Sequence, residues 1–473
     1  MHTHQTKKLD LTSAMEAQGL TKRHWLFFSV IALIMLFDGM DVTIVSHIFP
    51  SLIQDWGVEV GGGIAIVVSG GFVGMGVGAL IAGRLADLIG RKTVFIWAAA
   101  LFSVATALGA TSGDFAAFTL WRWIACLGMG STMASANALL SELVPKRNRA
   151  ALLAVAYAFV GLGTALGASL AGLILPTEGW RLLLAMAGIG PFIFVVLAAF
   201  VLPESPGHYL ARGSVDRAKR SVKRIVPDLD LNEVEFVLPE QPTSTSEHQT
   251  GALTKLMSKT YAPVTILLFI FGFVSLGTQL TIVQYLPILL QLPSTGLDTV
   301  QSSAIVSLYG LTSTAGGLLI GVFLAKWSRF VVFGTLLALS SLTILTVALT
   351  PAPGYTLLLI MFGIFGAIVP SVLGPSRSIL AATALPTDIR ATGIGTTEMG
   401  GRIGSALGGG IGGVLIGTGI GLSGFLLLLL FPIALLGGAL GGLNILSRKK
   451  ESDNIGAYSS NRHDKVLRSN AQQ

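Results

Sequence analysis

Few ionisable side chains interrupt the long apolar runs of this 473-residue chain, and they are of two chemical kinds. Asp38 and Asp41 stand three positions apart within Phe37-Asp-Gly-Met-Asp41-Val-Thr43, a spacing that puts both carboxylates on one face of a helix. Two carboxylates so close in a low-dielectric setting oppose double ionisation, so the pair can take up and release a proton. Arg122 and Arg402 stay charged, and a guanidinium offers a planar fork that suits an anion such as a carboxylate. Glu398 lies one helical turn before Arg402. Each such group costs about 2.5 kcal/mol or more at the centre of a membrane helix, so its presence needs a reason. Two plainer readings stay open: Asp38 or Asp41 pairs permanently with Arg122, and Glu398 forms a static i, i+4 pair with Arg402.

The elements that hold these residues are set by composition. The chain is 52% hydrophobic and 12% charged with a mean hydropathy of +0.74, too little charge to cover a soluble surface. Apolar runs long enough to cross hydrocarbon, about 20 residues each, fall near 25–48, 63–82, 93–112, 115–140, 150–175, 181–202, 261–290, 302–325, 330–350, 355–383, 388–418 and 421–446. The sequence therefore predicts an all-α membrane protein with twelve transmembrane helices. More than twenty polar residues precede the first run, which is long and contains acids, as in an uncleaved anchor rather than a signal peptide.

A repeat divides the twelve into two six-helix bundles. Pro145-Lys-Arg-Asn-Arg149-Ala150 followed by Thr164-Ala-Leu-Gly167 returns about 240 residues later as Pro386-Thr-Asp-Ile-Arg390-Ala391 followed by Ser405-Ala-Leu-Gly408. Gly83 and Arg91, read as flanking a short polar loop, have counterparts in Gly321 and Arg329 at nearly the same offset. Pseudo-symmetric parallel repeats around a cavity are a plan of secondary transporters. The predicted organisation is an N-terminal segment 1–24, a first bundle 25–202, a polar linker 203–260 with a basic helical stretch from Ser214 to Arg224, a second bundle 261–446, and a disordered tail 447–473.

Charge orients the chain. Lys22, Arg23, Arg84, Arg91, Lys92, Lys146, Arg147, Arg149, Lys326, Arg329, Arg390 and Arg448 fall on one side of the threading, while the opposite loops hold Asp55, Glu59, Asp114 and Asp298 with Arg181 as their only base. The positive-inside rule then places both termini in the cytoplasm. The net charge of +7 is spread in short clusters between apolar runs and builds no face for nucleic acid. Cys126, the only cysteine, lies in an apolar run, and the seven histidines have no zinc-ligand spacing, so no metal or other cofactor is expected. Gly83 to Thr93 has the wrong glycine spacing for a phosphate loop, so neither ATP hydrolysis nor any other enzymatic chemistry is expected. Gly70, Gly71, Gly74, Gly76 and Gly78, and the glycines from Gly400 to Gly419, read as helix-packing positions. His47 reads as a solvated residue near a helix end, and Trp25, Trp97, Trp121, Trp123 and Trp180 as interfacial anchors. Gln279, Gln284 and Tyr285 are further candidates to line the cavity, whereas the stretch one repeat after the aspartates, around Thr278 and Thr281, is uncharged.

The string Gly83-Arg-Leu-Ala-Asp87-Leu-Ile-Gly90-Arg91-Lys92 resembles the loop between the second and third helices of the major facilitator superfamily. The resemblance implies that Gly83, Asp87, Gly90 and Arg91 belong to a cytoplasmic gate whose ions pair when that side is closed, the acid facing a helix N-terminus. Ala325 and Lys326 replace the pattern in the second half, so Asp87 is expected to dominate. Within the superfamily the chain is most similar to the aromatic acid:proton symporters, through Asp38-Gly-Met-Asp41, Arg122 with Gly128-Met-Gly130, Glu142-Leu-Val-Pro145 with Arg149, Leu202-Pro-Glu-Ser-Pro206, Pro386-Thr-Asp-Ile-Arg390-Ala-Thr-Gly393 and Gly401-Arg402-Ile-Gly404. Met40 and Glu398 depart from that pattern.

This likeness implies import of a small aromatic carboxylate with a proton across the inner membrane by a monomer. Asp38 and Asp41 would couple the proton, and Arg122 and Arg402 would lie near the substrate; apart from the likeness, Glu398, Gln279, Gln284 and Tyr285 are read from the residues as further substrate-binding candidates. Glu142, Arg149 and Arg390 would join the gate. Two alternatives remain: a drug or metabolite:proton antiporter of the same fold, and a transporter-like sensor that binds its ligand without moving it.

Overall fold

A backbone inside hydrocarbon must satisfy its own hydrogen bonds, so long apolar runs become helices. The computed structural model describes residues 7–9, 19–227, 234–236 and 246–470, with side chains for 19–227 and 251–448. The first half comprises α1 (Lys22–Trp56), α2 (Ala65–Ile89, entered through a π turn at Val60–Ile64), α3 (Arg91–Gly109), α4 (Phe115–Leu143) and α5 (Lys146–Val201). The short α6 (Pro206–Ala211), α7 (Val215–Ile225) and α8 (Ser246–Leu256) precede the second half: α9 (Ala262–Leu290), α10 (Thr299–Lys326), α11 (Arg329–Leu349), α12 (Tyr355–Leu373), α13 (Ser376–Ala384), α14 (Thr387–Gly417) and α15 (Leu422–Asn470). Two three-residue strands, Lys7–Leu9 and Val234–Phe236, pair in parallel.

Ten stretches among the described residues are long and apolar enough to cross a membrane. α14 is not one of them, because its many glycines and its charged residues dilute its hydropathy. α5 runs through two of the predicted spans and reverses at Gly179, whose φ of 76° only glycine adopts freely. Both limbs touch the same level of α1: Gly163 packs on the Leu36 carbonyl and Gly190 on the Phe37 ring. The predicted span 355–383 is two helices, broken at Gly374-Pro375 because proline lacks an N–H and disfavours helix in the residue before it.

Gly83 and Gly321 do not make turns. Both lie inside helices, α2 and α10, with open space where a side chain would be. The turn belongs to Gly90, at φ 102°, which alone separates α2 from α3. The basic stretch of the linker is helical as α7, with Ala218, Val222 and Ile225 buried and Arg217, Arg220, Lys223 and Arg224 exposed. Arg23 Nη1 ties it to the first half by donating to the Arg224 carbonyl at 2.7 Å. The last helix continues to Asn470, through the segment predicted to be disordered. Residues 1–6, 10–18, 228–233, 237–245 and 471–473, which belong to the predicted terminal segments and linker, lie outside the described residues.

Glycines set the closest helix approaches. Gly39, inside the Asp-Gly-Met-Asp string, packs on the Val160 carbonyl of α5, and Gly130 of α4 packs on the Met75 carbonyl of α2. The two halves meet through α2 with α14 and α5 with α10. Contacts run from Gly61 against Gly417 to Gly76, where an added Cβ would lie 3.7 Å from the Arg402 Cβ. On the other seam, Ser169 and Ser307 share a hydrogen bond of 2.9 Å and Thr314 donates to the Ala158 carbonyl at 3.3 Å. Beyond these points, toward Gly90 and Lys326, Gly83, Gly317, Gly321 and Gly395 face open space. The halves are joined at the end that carries Asp55 and Asp298, here the acidic end, and separated at the basic end.

A methyl group at residue 130 would strike backbone, which cannot yield as a side chain can. Gly130→Ala should cost about 3 kcal/mol and lower the thermal unfolding midpoint in detergent micelles by several degrees. Gly321→Ala, in open space and mid-helix, should leave the midpoint unchanged or raise it.

Candidate functional site

Asp38 and Asp41 are 3% and 0% exposed on α1, and α4 brings Arg122, 7% exposed, directly onto Asp41 as an ion pair. Asp41 Oδ2 accepts from Arg122 Nη1, and Asp41 Oδ1 accepts from Thr106 Oγ1 of α3 at 3.1 Å. Both oxygens of Asp41 are therefore occupied. Asp38 differs: its Oδ1 is buried without a hydrogen-bond partner, and it lies within electrostatic range of Asp41, Arg122 and Arg402. Arg402, half-buried on α14, makes no ion pair through its guanidinium among the described residues. The plain reading that Asp41 and Arg122 pair is what the geometry contains. The arginine left over for an anion is Arg402.

Glu398 does not pair with Arg402. Its Oε1 accepts from Arg377 Nε at 3.3 Å and from Ser378 Oγ at 3.3 Å, both at the start of α13. Arg377 also donates to the Leu373 carbonyl that the Gly374-Pro375 break sets free. The sequence reading overlooked Arg377, although an arginine inside an apolar run just after Gly-Pro was the available signal.

The candidates on α9 divide as well. Tyr285 is buried and donates to the Gly409 carbonyl at 2.7 Å, so its hydroxyl is spent on helix packing. Gln279 and Gln284 each keep a buried Oε1 without a partner, as does the Thr281 hydroxyl between them. His47 is fully buried rather than solvated, its Nδ1 bonded to the Thr43 carbonyl at 2.8 Å. Trp180 is no interfacial anchor: it is buried against Trp56 and Phe118 and donates to Asp55 at 2.8 Å.

Comparison with known proteins decides the family. The model of the Major Facilitator Superfamily matches residues 31–409 and 293–469. The chain belongs to the major facilitator superfamily. It is a multi-pass membrane transporter of that family and not an enzyme. It is similar to the 4-hydroxybenzoate transporter PcaK of Acinetobacter baylyi, 28% identical over 91% of this chain and 93% of that one. A gallate transporter of Pseudomonas putida is 28% identical over 88% of this chain and 90% of its own length. Among solved structures, a D-xylose-proton symporter superposes with a TM-score of 0.67 at 17% identity, covering 88% of this chain and 96% of that chain, which shows a shared fold.

The facilitator loop at the basic end is partly engaged. Arg91 pairs with Glu142 of α4 and donates to the Ala138 carbonyl at 3.4 Å. Glu204, quoted above only as part of a string, caps α3: its carboxylate accepts from the backbone N–H of Lys92 at 2.9 Å and of Thr93 at 3.3 Å, and it lies against Gly90, where a Cβ would collide with it. Asp87 is exposed and makes no ion pair among the described residues. Arg149 has a buried Nε without a partner, and Arg390 Nε donates to the Leu385 carbonyl at 3.4 Å. The loop's contacts within the first half are thus made, while its acid makes no ion pair among the described residues.

The two arginines should respond differently to removal. Arg122→Gln strands Asp41 in the core and should cost about 3–5 kcal/mol, seen as a large fall in thermal midpoint together with loss of transport. Arg402→Gln removes an unpaired charge, so the midpoint should hold within about 1 kcal/mol while transport is lost.

Proposed function

We propose that the protein imports a small aromatic carboxylate together with a proton, by alternating access, across the inner membrane. The observation that carries this reading is the division between the arginines: Arg122 is held by Asp41, whereas Arg402 makes no ion pair among the described residues and lies in range of Asp38. An unpaired guanidinium at mid-depth is costly unless an anion arrives to neutralise it. The relatives whose names specify 4-hydroxybenzoate, gallate and benzoate supply the aromatic character. The two limbs of α5 and the glycine-rich α14, taken as spans, bring the count to twelve, with both termini cytoplasmic by the positive-inside rule. One chain encloses one cavity, so the acting unit is the monomer.

The carboxylate enters from the acidic end and settles on Arg402, whose guanidinium supplies the donors that its oxygens need. Asp38, with a partnerless oxygen, takes the proton while Asp41 stays ionised against Arg122. The proton and the anion together leave the site uncharged on balance, which lowers the cost of enclosing it. The first bundle then rocks against the second, the basic end opens as in the arrangement described above, and loss of the proton toward the cytoplasm favours release.

Uptake of radiolabelled 4-hydroxybenzoate, protocatechuate, vanillate and benzoate into proteoliposomes with an imposed inward proton gradient tests this. Accumulation that protonophore abolishes is expected for at least one acid, and none for any of them overturns the reading. Asp38→Asn should lose gradient-driven accumulation while retaining substrate exchange; full proton-driven accumulation by that variant removes Asp38 from coupling.

A further inference from the structure

Glu398 falls outside the motif pattern that the rest of the site follows, yet the structure holds it firmly. Arg377 and Ser378 both bond its Oε1, and Arg377 is itself fixed by the Leu373 carbonyl at the helix break. Arg377 cannot swing away without leaving that carbonyl unpaired. No hydrogen bond reaches Glu398 Oε2 among the described residues, and the Glu398 side chain is 35% exposed. Arg402 projects from the next turn of the same helix, a separation of roughly 5–6 Å between Cβ atoms. Tyr157 of the first half, bonded by Asn137 at 2.6 Å, lies within electrostatic range of Arg377, Glu398 and Arg402. A ring whose carboxylate sits on Arg402 therefore has a fixed anionic acceptor about one ring length away and an aromatic side chain opposite.

We propose that Glu398 is a specificity-determining residue of the transport site: its free carboxylate oxygen accepts a hydrogen bond from a hydroxyl on the substrate ring, and its charge rejects a second carboxylate there. This rests on the carboxylate reading above. A phenol supplies the O–H donor that Oε2 lacks. An unsubstituted benzoate leaves that oxygen to water, and a dianion meets like charge at close range. Arg377 acts through Glu398, as a positioning residue that keeps the carboxylate aimed.

The test is uptake of 4-hydroxybenzoate, benzoate and terephthalate by the full-length protein in proteoliposomes, for the wild type and Glu398→Gln. In the wild type kcat/KM should favour 4-hydroxybenzoate over benzoate about tenfold, as one hydrogen bond to a charged acceptor allows. Glu398→Gln should shrink that preference to about twofold and raise terephthalate uptake about tenfold, a gain that a merely structural role would not produce. Should the single variant fail to elute as a folded species, Arg377→Gln/Glu398→Gln removes both charges and is measured in its place. An unchanged preference in a folded variant, with the wild type carrying both monoacids, overturns the role of Glu398 alone. A wild type that accumulates none of the three overturns the carboxylate reading and this inference with it.

Discussion

A charge inside hydrocarbon must find a partner, and the pairing of Asp41 with Arg122 is the constraint around which the first half is built. Both side chains are buried, so the interaction is weakly screened and its geometry must be held closely. Three helices do this. α1 carries the acid, α4 the base, and α3 the Thr106 hydroxyl that occupies the remaining oxygen. They come near enough because Gly39 admits α5 against α1, Gly128 admits α3 against α4, and Gly130 admits α2 against α4. Glycine costs about 1 kcal/mol relative to alanine in a helix; here each one removes a collision that would push the ion pair apart.

The second half solves the same problem differently. Around Thr278 and Thr281, one repeat after the aspartates, it has no carboxylate. Its charge pair instead joins α14 to the helix that follows a break, where Arg377 serves both a freed carbonyl and Glu398. The duplication thus kept the Pro-x-x-x-Arg-Ala landmark and the small residues while the chemistry diverged. That divergence leaves Arg402 without an ion pair among the described residues, in range of an aspartate from the other half. A site assembled from unlike halves is suited to sensing whether they have come together, since neither half carries the whole constellation.

Sequence showed the spans because hydropathy over about 20 residues follows from bilayer thickness, and it showed Asp38, Asp41 and Arg122 because charges in apolar runs are rare. It was weaker wherever a partner had to be chosen. Glu398 and Arg402 are adjacent turns of one helix, so a local pair was the natural one-dimensional guess; the partner that won, Arg377, comes from a helix break. His47 and Trp180 were assigned to the interface from their places near helix ends, but burial there depends on the tilt and packing of neighbours. Gly83 belonged to a loop-like string, yet apolar neighbours at Leu85, Leu88 and Ile89 carried α2 on to Gly90, where a positive φ was needed.

The basic end shows which contacts are internal to a half and which must cross. Arg91 with Glu142, and Glu204 with the first turn of α3, join elements of the first half and are formed while the halves stand apart at that end. These contacts are therefore in place before any closure, and a closing motion need not rebuild them. Asp87 is the exception, an exposed carboxylate with no ion pair among the described residues. The contacts that would change on closing are then confined to Asp87 and the faces of α10 and α14 beyond Gly317 and Gly395, while both bundles keep their cores. Packed helices resist continuous deformation, so the proposed alternating access fits a rotation of one bundle against the other about the level where Arg402 lies beside Gly76.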